Sequence, residues 1–153
     1  MTPTAPVARF RRMGRRDQFI EHLAQVPLFS ALSRKELGLV ARRAEDVVVP
    51  AGKVLVSEGE TGQQFFVIMS GTASLTRRGR KIATLGPGNS FGELAILDKY
   101  PRNATAVADT PMELIVLGQR EFAGLIDDVP GFARKLLANL ASRLRASDMK
   151  AEV

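Results

Sequence analysis

The sequence predicts a mainly β domain with flanking helices, on three observations. Short β-branched and aromatic runs recur between residues 46 and 117, separated by turns rich in glycine and proline. Before and after that stretch, apolar residues recur at helical spacing instead. One segment inside the β region, 91–98, breaks the strand pattern, because Leu94, Ala95 and Leu97 favour a single helical turn. Many short strands joined by glycine-rich turns indicate a sandwich or a jelly-roll barrel.

Each element has its own reason. Residues 1–14 hold two prolines, small polar residues and few large apolar ones, so they read as a flexible basic arm. A helix begins near Arg15, with Phe19, Ile20, Leu23 and Val26 on one face, and Pro27 ends or bends it. Ser33-Arg34-Lys35-Glu36 has the form of a capping box, with Leu32 and Leu37 at the staple positions. The helix it starts runs to about residue 45 through Leu37, Val40, Ala41 and Ala44.

Strands are expected at Asp46–Val49, Lys53–Val56, Gln64–Met69, Thr72–Thr76, Lys81–Leu85, Thr105–Val107 and Met112–Leu117. Arg77-Arg78-Gly79-Arg80-Lys81 makes the turn of a hairpin. Gln119–Ile126 reads as a short helix, and Pro130 or Gly131 starts the last one, since proline is tolerated in a first helical turn. Phe132, Leu136, Leu137, Leu140, Ala141 and Leu144 give that helix an apolar stripe, with its arginines largely outside, and it is expected to fray after about Ala146. The expected organisation is thus one domain over 15–149: helices at 15–45, a β roll at 46–117, helices at 119–146, and a tail at 150–153.

Bulk properties narrow the function classes. The chain has 153 residues, 45% of them hydrophobic, enough for one well-filled core. It has no cysteine, hence no disulfide framework and no thiolate chemistry, which fits a cytoplasmic location. No apolar run reaches the roughly 20 residues of a membrane span, and no apolar segment of a signal peptide follows the basic start. The formal net charge is +6, with arginines at 9, 11, 12, 15 and 16 and a second basic patch at 77–81. These patches read as a solvated arm and a solvated hairpin turn. No RNA-reading aromatic pair and no helix-turn-helix follow the sheet, so direct DNA binding is not expected. His22 is isolated, and neither paired histidines nor a carboxylate cluster at ligand spacing occurs, so no metal site, cofactor or catalytic residue is assigned and the chain is not expected to be an enzyme.

The segment 91–105 is the one candidate site. It places a carboxylate, Glu93, and a guanidinium, Arg102, on either side of the short helical turn. Amides at a helix start lack intrahelical partners and suit a phosphate. Gly92 lets the backbone approach a ligand closely. Glu93 would repel a bare phosphate, but suits a sugar hydroxyl while Arg102 holds the charge. Ala104 is small enough to let its amide reach the ligand. Thr105 offers a hydroxyl or serves as a strand residue, and Asn103 has the same two readings of turn and contact. For Arg102 the plainer role is a surface ion pair. For Tyr100 it is packing or a solvated loop.

Phe91-Gly92-Glu93-Leu94-Ala95-Ile96-Leu97 through Pro101-Arg102-Asn103-Ala104-Thr105 resembles the phosphate-binding cassette of the cyclic nucleotide-binding domain family. That family includes bacterial catabolite activator proteins, kinase regulatory subunits and cyclic nucleotide-gated channels. The spacing from Phe91 to Arg102 matches the kinase-type cassette without insertion, and Gly52, Gly59, Gly62, Gly71, Gly86 and Gly88 fall at family positions. The resemblance covers about residues 20–146.

It implies an antiparallel β jelly-roll barrel (a double-stranded β-helix) with flanking helices. It implies that Glu93 binds the ribose 2′-hydroxyl, that Arg102 pairs with the cyclic phosphate, and that the amides of Gly92, Leu94 and Ala104 line the phosphate pocket. The last helix would be a mobile lid, with an arginine among Arg134, Arg143 and Arg145, or Leu136, Leu137 and Leu140, over the base. The arginines otherwise read as a solvated face. In members tuned to cyclic GMP the residue after the cassette arginine is often threonine. Asn103 leans away from that pattern, so the expected ligand is cyclic AMP, with cyclic GMP as the other candidate.

The expected function is a non-catalytic sensor signalling to a protein effector by movement of its last helix. The rival is a degenerate domain used only for protein association. The chain ends at Val153 without the winged helix of the catabolite activators, so a standalone bacterial module is expected, and a homodimer is left open.

Overall fold

The computed structural model describes residues 16–97, 99 and 101–151. The basic arm, Tyr100 and the final two residues of the tail lie outside the described residues.

The two helical flanks form where the apolar spacing places them. Helix α1 spans Arg16–Ala24, a 3₁₀ turn covers Pro27–Phe29, and α2 spans Arg34–Arg43. The capping box is formed: Ser33 Oγ accepts from the Glu36 amide at 3.1 Å, and Glu36 Oε1 accepts from the Ser33 amide at 2.8 Å. Leu32 and Leu37, the staple pair, are both buried in the same apolar cluster.

Eight strands follow: β1 Glu45–Val49, β2 Val54–Val56, β3 Gln64–Ser70, β4 Ala73–Arg77, β5 Arg80–Leu85, β6 Ser90–Phe91, β7 Thr105–Ala108 and β8 Met112–Gly118. A short helix, α3 Glu93–Leu97, interrupts them, and α4 Gln119–Asp128 and α5 Pro130–Ala151 close the chain. The expected strands all form. Strand β6 was not anticipated, since two residues carry no periodic signal, and Phe91 belongs to it and not to the helical turn. Arg78 and Gly79 both have positive φ (54° and 76°), the geometry of a two-residue hairpin turn matched to strand twist.

The strands make two four-stranded antiparallel sheets, ordered β1-β8-β3-β6 and β2-β7-β4-β5. This corrects the expected fold class in two respects. Among the described residues no ladder joins the sheets, so they are open and do not close into a jelly-roll barrel. Closure needs continuous hydrogen bonding around the ring, and the edge strand β6 is only two residues long. Nor is the domain mainly β: it is a mixed helix-and-strand domain, with helices carrying at least as many residues as strands. Much of that comes from α5, which spans 22 residues and continues to Ala151 instead of fraying after Ala146.

Alternation along β3 and β8 explains the layering. Phe65, Val67, Ile115 and Leu117 enter a cluster with the helices, whereas Phe66, Ile68, Leu114 and Val116 enter a cluster between the sheets. The first sheet is therefore covered on both faces, which is why its central strands read as continuous apolar runs. Phe29, Phe65, Phe122 and Phe132 form a ring cluster with centroids 4.8–6.4 Å apart, fixing α4 and the start of α5 on that sheet.

Candidate functional site

The segment 91–105 crosses from one sheet to the other. It leaves the edge of the first sheet at β6, makes α3, and enters the second sheet as β7 between β2 and β4. Its start is anchored by Phe91, buried and stacked on Phe66 at 4.8 Å.

Gly92 follows with φ of +100°. A Cβ there would lie 2.6 Å from the Gln64 carbonyl oxygen and 2.7 Å from Arg102 Nη1. Only glycine fits, both for φ and for space. The close approach that requires glycine in this structure is to Gln64 and Arg102.

Arg102 is held on every side. Its amide donates to the Glu60 carbonyl at 2.7 Å, and its carbonyl accepts from the Gly59 amide at 2.8 Å. Its Nη1 donates to the Gly92 carbonyl at 3.2 Å and its Nη2 to the Gln64 carbonyl at 2.9 Å. The residue is 9% exposed, so it is a buried group and not the surface cation of the plainer reading. Burial lowers its pKa, while the charge of Glu93 acts in the opposite sense. The guanidinium has five N–H donors, more than two carbonyls use.

Glu93 opens α3 and is 2% exposed. Its Oε1 accepts from Arg143 Nη1 of α5 at 2.5 Å, and Arg143 Nη2 donates to the Ser90 carbonyl at 2.7 Å. The site thus brings together two guanidiniums and one carboxylate.

The remaining expected residues are placed as follows. Leu94 lies in α3. Asn103 is exposed, and its carbonyl accepts from Arg77 Nε at 2.8 Å. Ala104 is buried. Thr105 pairs with Thr76 in β7, and its Oγ1 accepts from the Glu58 amide at 2.9 Å. On α5, Leu136 is buried, whereas Leu137 and Leu144 are each 64% exposed. Arg134 and Arg145 are exposed, as a solvated face requires; Arg143 is exposed too, but its guanidinium turns back to Glu93 and Ser90. Phe132, Leu136, Leu140 and Arg143 follow one another at helical spacings of four, four and three, and burial falls along that run until Arg143 is exposed.

A cavity of about 590 Å³ opens beside Arg102, lined in part by Ser57, Glu60, Gln63, Gln64, Arg120 and Glu121. Glu93 does not line it, so this space sits against the Gln64 side of the guanidinium and does not join the two charges. Among the described residues no group of three or more His, Cys, Asp or Glu side chains is placed to hold a metal ion, and no helix is long and apolar enough to cross a membrane.

Residues 46–129 match the family model described as the cyclic nucleotide-binding domain. The chain is 36% identical over 132 residues to a cyclic AMP receptor protein of Thermus thermophilus, covering 83% of this chain and 61% of that one. It is 36% identical over 117 residues to a cAMP-dependent protein kinase regulatory subunit of Yarrowia lipolytica, covering 75% of this chain and 31% of that one. The crystal structure of the Thermus thermophilus catabolite activator protein superposes with a TM-score of 0.76 at 37% identity, covering 82% of this chain and 62% of that one. The chain thus spans about three-fifths of the first curated relative and about a third of the second. On the match of its β region and the similarity of most of its length, the chain belongs to the cyclic nucleotide-binding domain family.

Proposed function

We propose that this domain is a non-catalytic sensor of a cyclic nucleotide, cyclic AMP in preference to cyclic GMP, that reports occupancy to a protein effector through its last helix. The observation that carries the proposal is the buried pair on the cassette: Arg102 fixed by four hydrogen bonds, and Glu93 at the start of α3, with Gly92 between them.

Arg102 is held with donors to spare for a cyclic phosphate. Glu93 accepts the ribose 2′-hydroxyl, a role for which a carboxylate is suited and which leaves the negative phosphate to the arginine. The amides of Gly92, Leu94 and Ala104 complete the phosphate pocket, with Asn103 and Thr105 at its margin. Nothing in this arrangement needs a bond to be made or broken. Nucleotide that binds better with α5 docked shifts the domain towards that state. The names of the relatives, a cyclic AMP receptor and a cAMP-dependent kinase regulatory subunit, favour cyclic AMP. The reading places the domain in the cytoplasm, where such a ligand is met.

Paired calorimetric titrations with cyclic AMP and cyclic GMP, with melting temperatures recorded alongside, test the proposal. Saturable binding with a rise in melting temperature, stronger for cyclic AMP, is expected. No heat and no rise up to millimolar ligand would leave the domain as a protein-association module.

A further inference from the structure

The tip of the β4–β5 hairpin gathers Arg77, Arg78, Arg80 and Lys81 around Gly79, all of them exposed. Two features of this tip run against local chemistry. Arg78 takes φ of 54°, a left-handed conformation that suits asparagine or glycine in such a turn. Arg77 and Arg80 face each other across the two strands, and like charges directly opposite destabilise a pair. A turn shaped for folding alone has no need of either arrangement. Positions where a sequence works against its own local structure are where functional demands show.

The tip is nonetheless firmly braced. The Arg78 amide donates to Glu58 Oε1 at 2.9 Å, and the Glu58 amide donates to Thr105 Oγ1 at 2.9 Å. Arg77 Nε donates to the Asn103 carbonyl at 2.8 Å. The loop after β2 and the approach to β7 thus hold the turn from below. The acid in this brace gives its oxygen to a backbone amide. Among the described residues, no carboxylate pairs with the side chains of Arg78, Arg80 or Lys81. Their charges stand uncompensated on a fixed backbone, so a ligand that meets them has only side chains to order.

Charge and shape select the occupant. The patch caps a single hairpin and holds no aromatic residue, so it lacks the long basic stripe and the stacking surface of a nucleic-acid interface. It holds no apolar side chain to enter a membrane. Strand β5 is an edge of its sheet, which leaves the tip open to a partner. The register shift at Leu75/Thr76 makes Ile82 an extra residue, however, and such a bulge blunts strand pairing along the edge. Recognition therefore runs through side chains. A second copy of the chain would bring the same charges, and the arm at 1–14 is itself basic. We infer that the tip of the β4–β5 hairpin is a docking surface for a short run of aspartate and glutamate on a partner protein, held by Arg78, Arg80 and Lys81. This surface is independent of what the cassette binds.

The probe is a fluorescein-labelled octaglutamate peptide, titrated by anisotropy against the full chain without nucleotide. Saturable binding that weakens as salt rises is expected. Reversing the charges together, with Arg78→Glu, Arg80→Glu and Lys81→Glu, should weaken it by about tenfold or more. Arg78→Asn alone should weaken it by about threefold. Its melting temperature should hold or rise, because asparagine suits the turn, so this variant decides the matter even where the triple one fails to fold. Neutralising the arm, with Arg9→Ser, Arg11→Ser and Arg12→Ser, should change the affinity by less than about twofold.

No saturable binding by the wild-type chain would overturn the surface, as would a loss in the arm variant with none in the hairpin variants. A short DNA duplex, a single-stranded RNA, and vesicles of phosphatidylcholine with phosphatidylserine are titrated alongside, on the wild-type chain and on Arg78→Asn. A larger loss on this substitution for any of these than for octaglutamate would overturn the acidic protein segment as the occupant. A chain that binds octaglutamate through the hairpin but no cyclic nucleotide would support this surface while removing the proposed function, so the two stand or fall separately.

Discussion

Gly92 and Arg102 fill each other's space: a side-chain carbon on Gly92 would lie 2.7 Å from the Arg102 guanidinium that donates to the Gly92 carbonyl. The space beside Gly92 is therefore taken by the guanidinium and by the Gln64 carbonyl oxygen, 2.6 Å from the same position. Gly92→Ala should cost about 2 kcal/mol of stability, from the positive φ and from displacement of Arg102. Urea unfolding measures the loss, and nucleotide affinity should fall with it because the guanidinium is pushed out of place.

Arg102→Ala has two consequences. It should weaken cyclic nucleotide by about 2–5 kcal/mol, as loss of a desolvated charge-assisted pair. It also strips the donor from the Gly92 and Gln64 carbonyls. A loss of stability of about 1–3 kcal/mol, read as a lower urea midpoint, is therefore expected as well. Calorimetry on samples checked for folding separates the two. Unchanged affinity in a folded variant would remove Arg102 from the phosphate site.

The fold boundary at α2 can be tested independently of any ligand. Ser33 and Glu36 exchange hydrogen bonds with each other's amides. Ser33→Ala should cost about 1 kcal/mol, read as a lower melting temperature with nucleotide affinity unchanged. A larger loss would mean that Ser33 carries more than the cap.

Much of this was legible in the sequence, for physical reasons that differ by element. The capping box, the strands and the hairpin announce themselves through local chemistry: a serine three residues before a glutamate, β-branched runs, and a glycine able to take positive φ. The class of the domain was misread because strand-like runs are conspicuous, whereas the end of α5 over 147–151 has a composition compatible with either a helix or a tail. Barrel closure was misjudged because it depends on the edges of the sheets, and β6 is too short to leave a pattern. The cassette was visible as a motif, and Glu93 and Arg102 with it. Burial of Arg102 was missed because a lone arginine in a loop gives no periodic sign of its partners. Arg143 was named among three arginines for the lid, but nothing in the helical spacing told it from Arg134 and Arg145, because its partner Glu93 lies 50 residues away in the sequence.

The measurement that bears most directly on the account is a titration of the wild-type chain with cyclic AMP and with 2′-deoxy cyclic AMP, repeated on Glu93→Ala. The account predicts saturable binding of cyclic AMP, weaker binding of the deoxy nucleotide, and in Glu93→Ala a loss confined largely to the ribose form. Equal affinity of the wild-type chain for the two nucleotides, or no saturable binding of either, would contradict it.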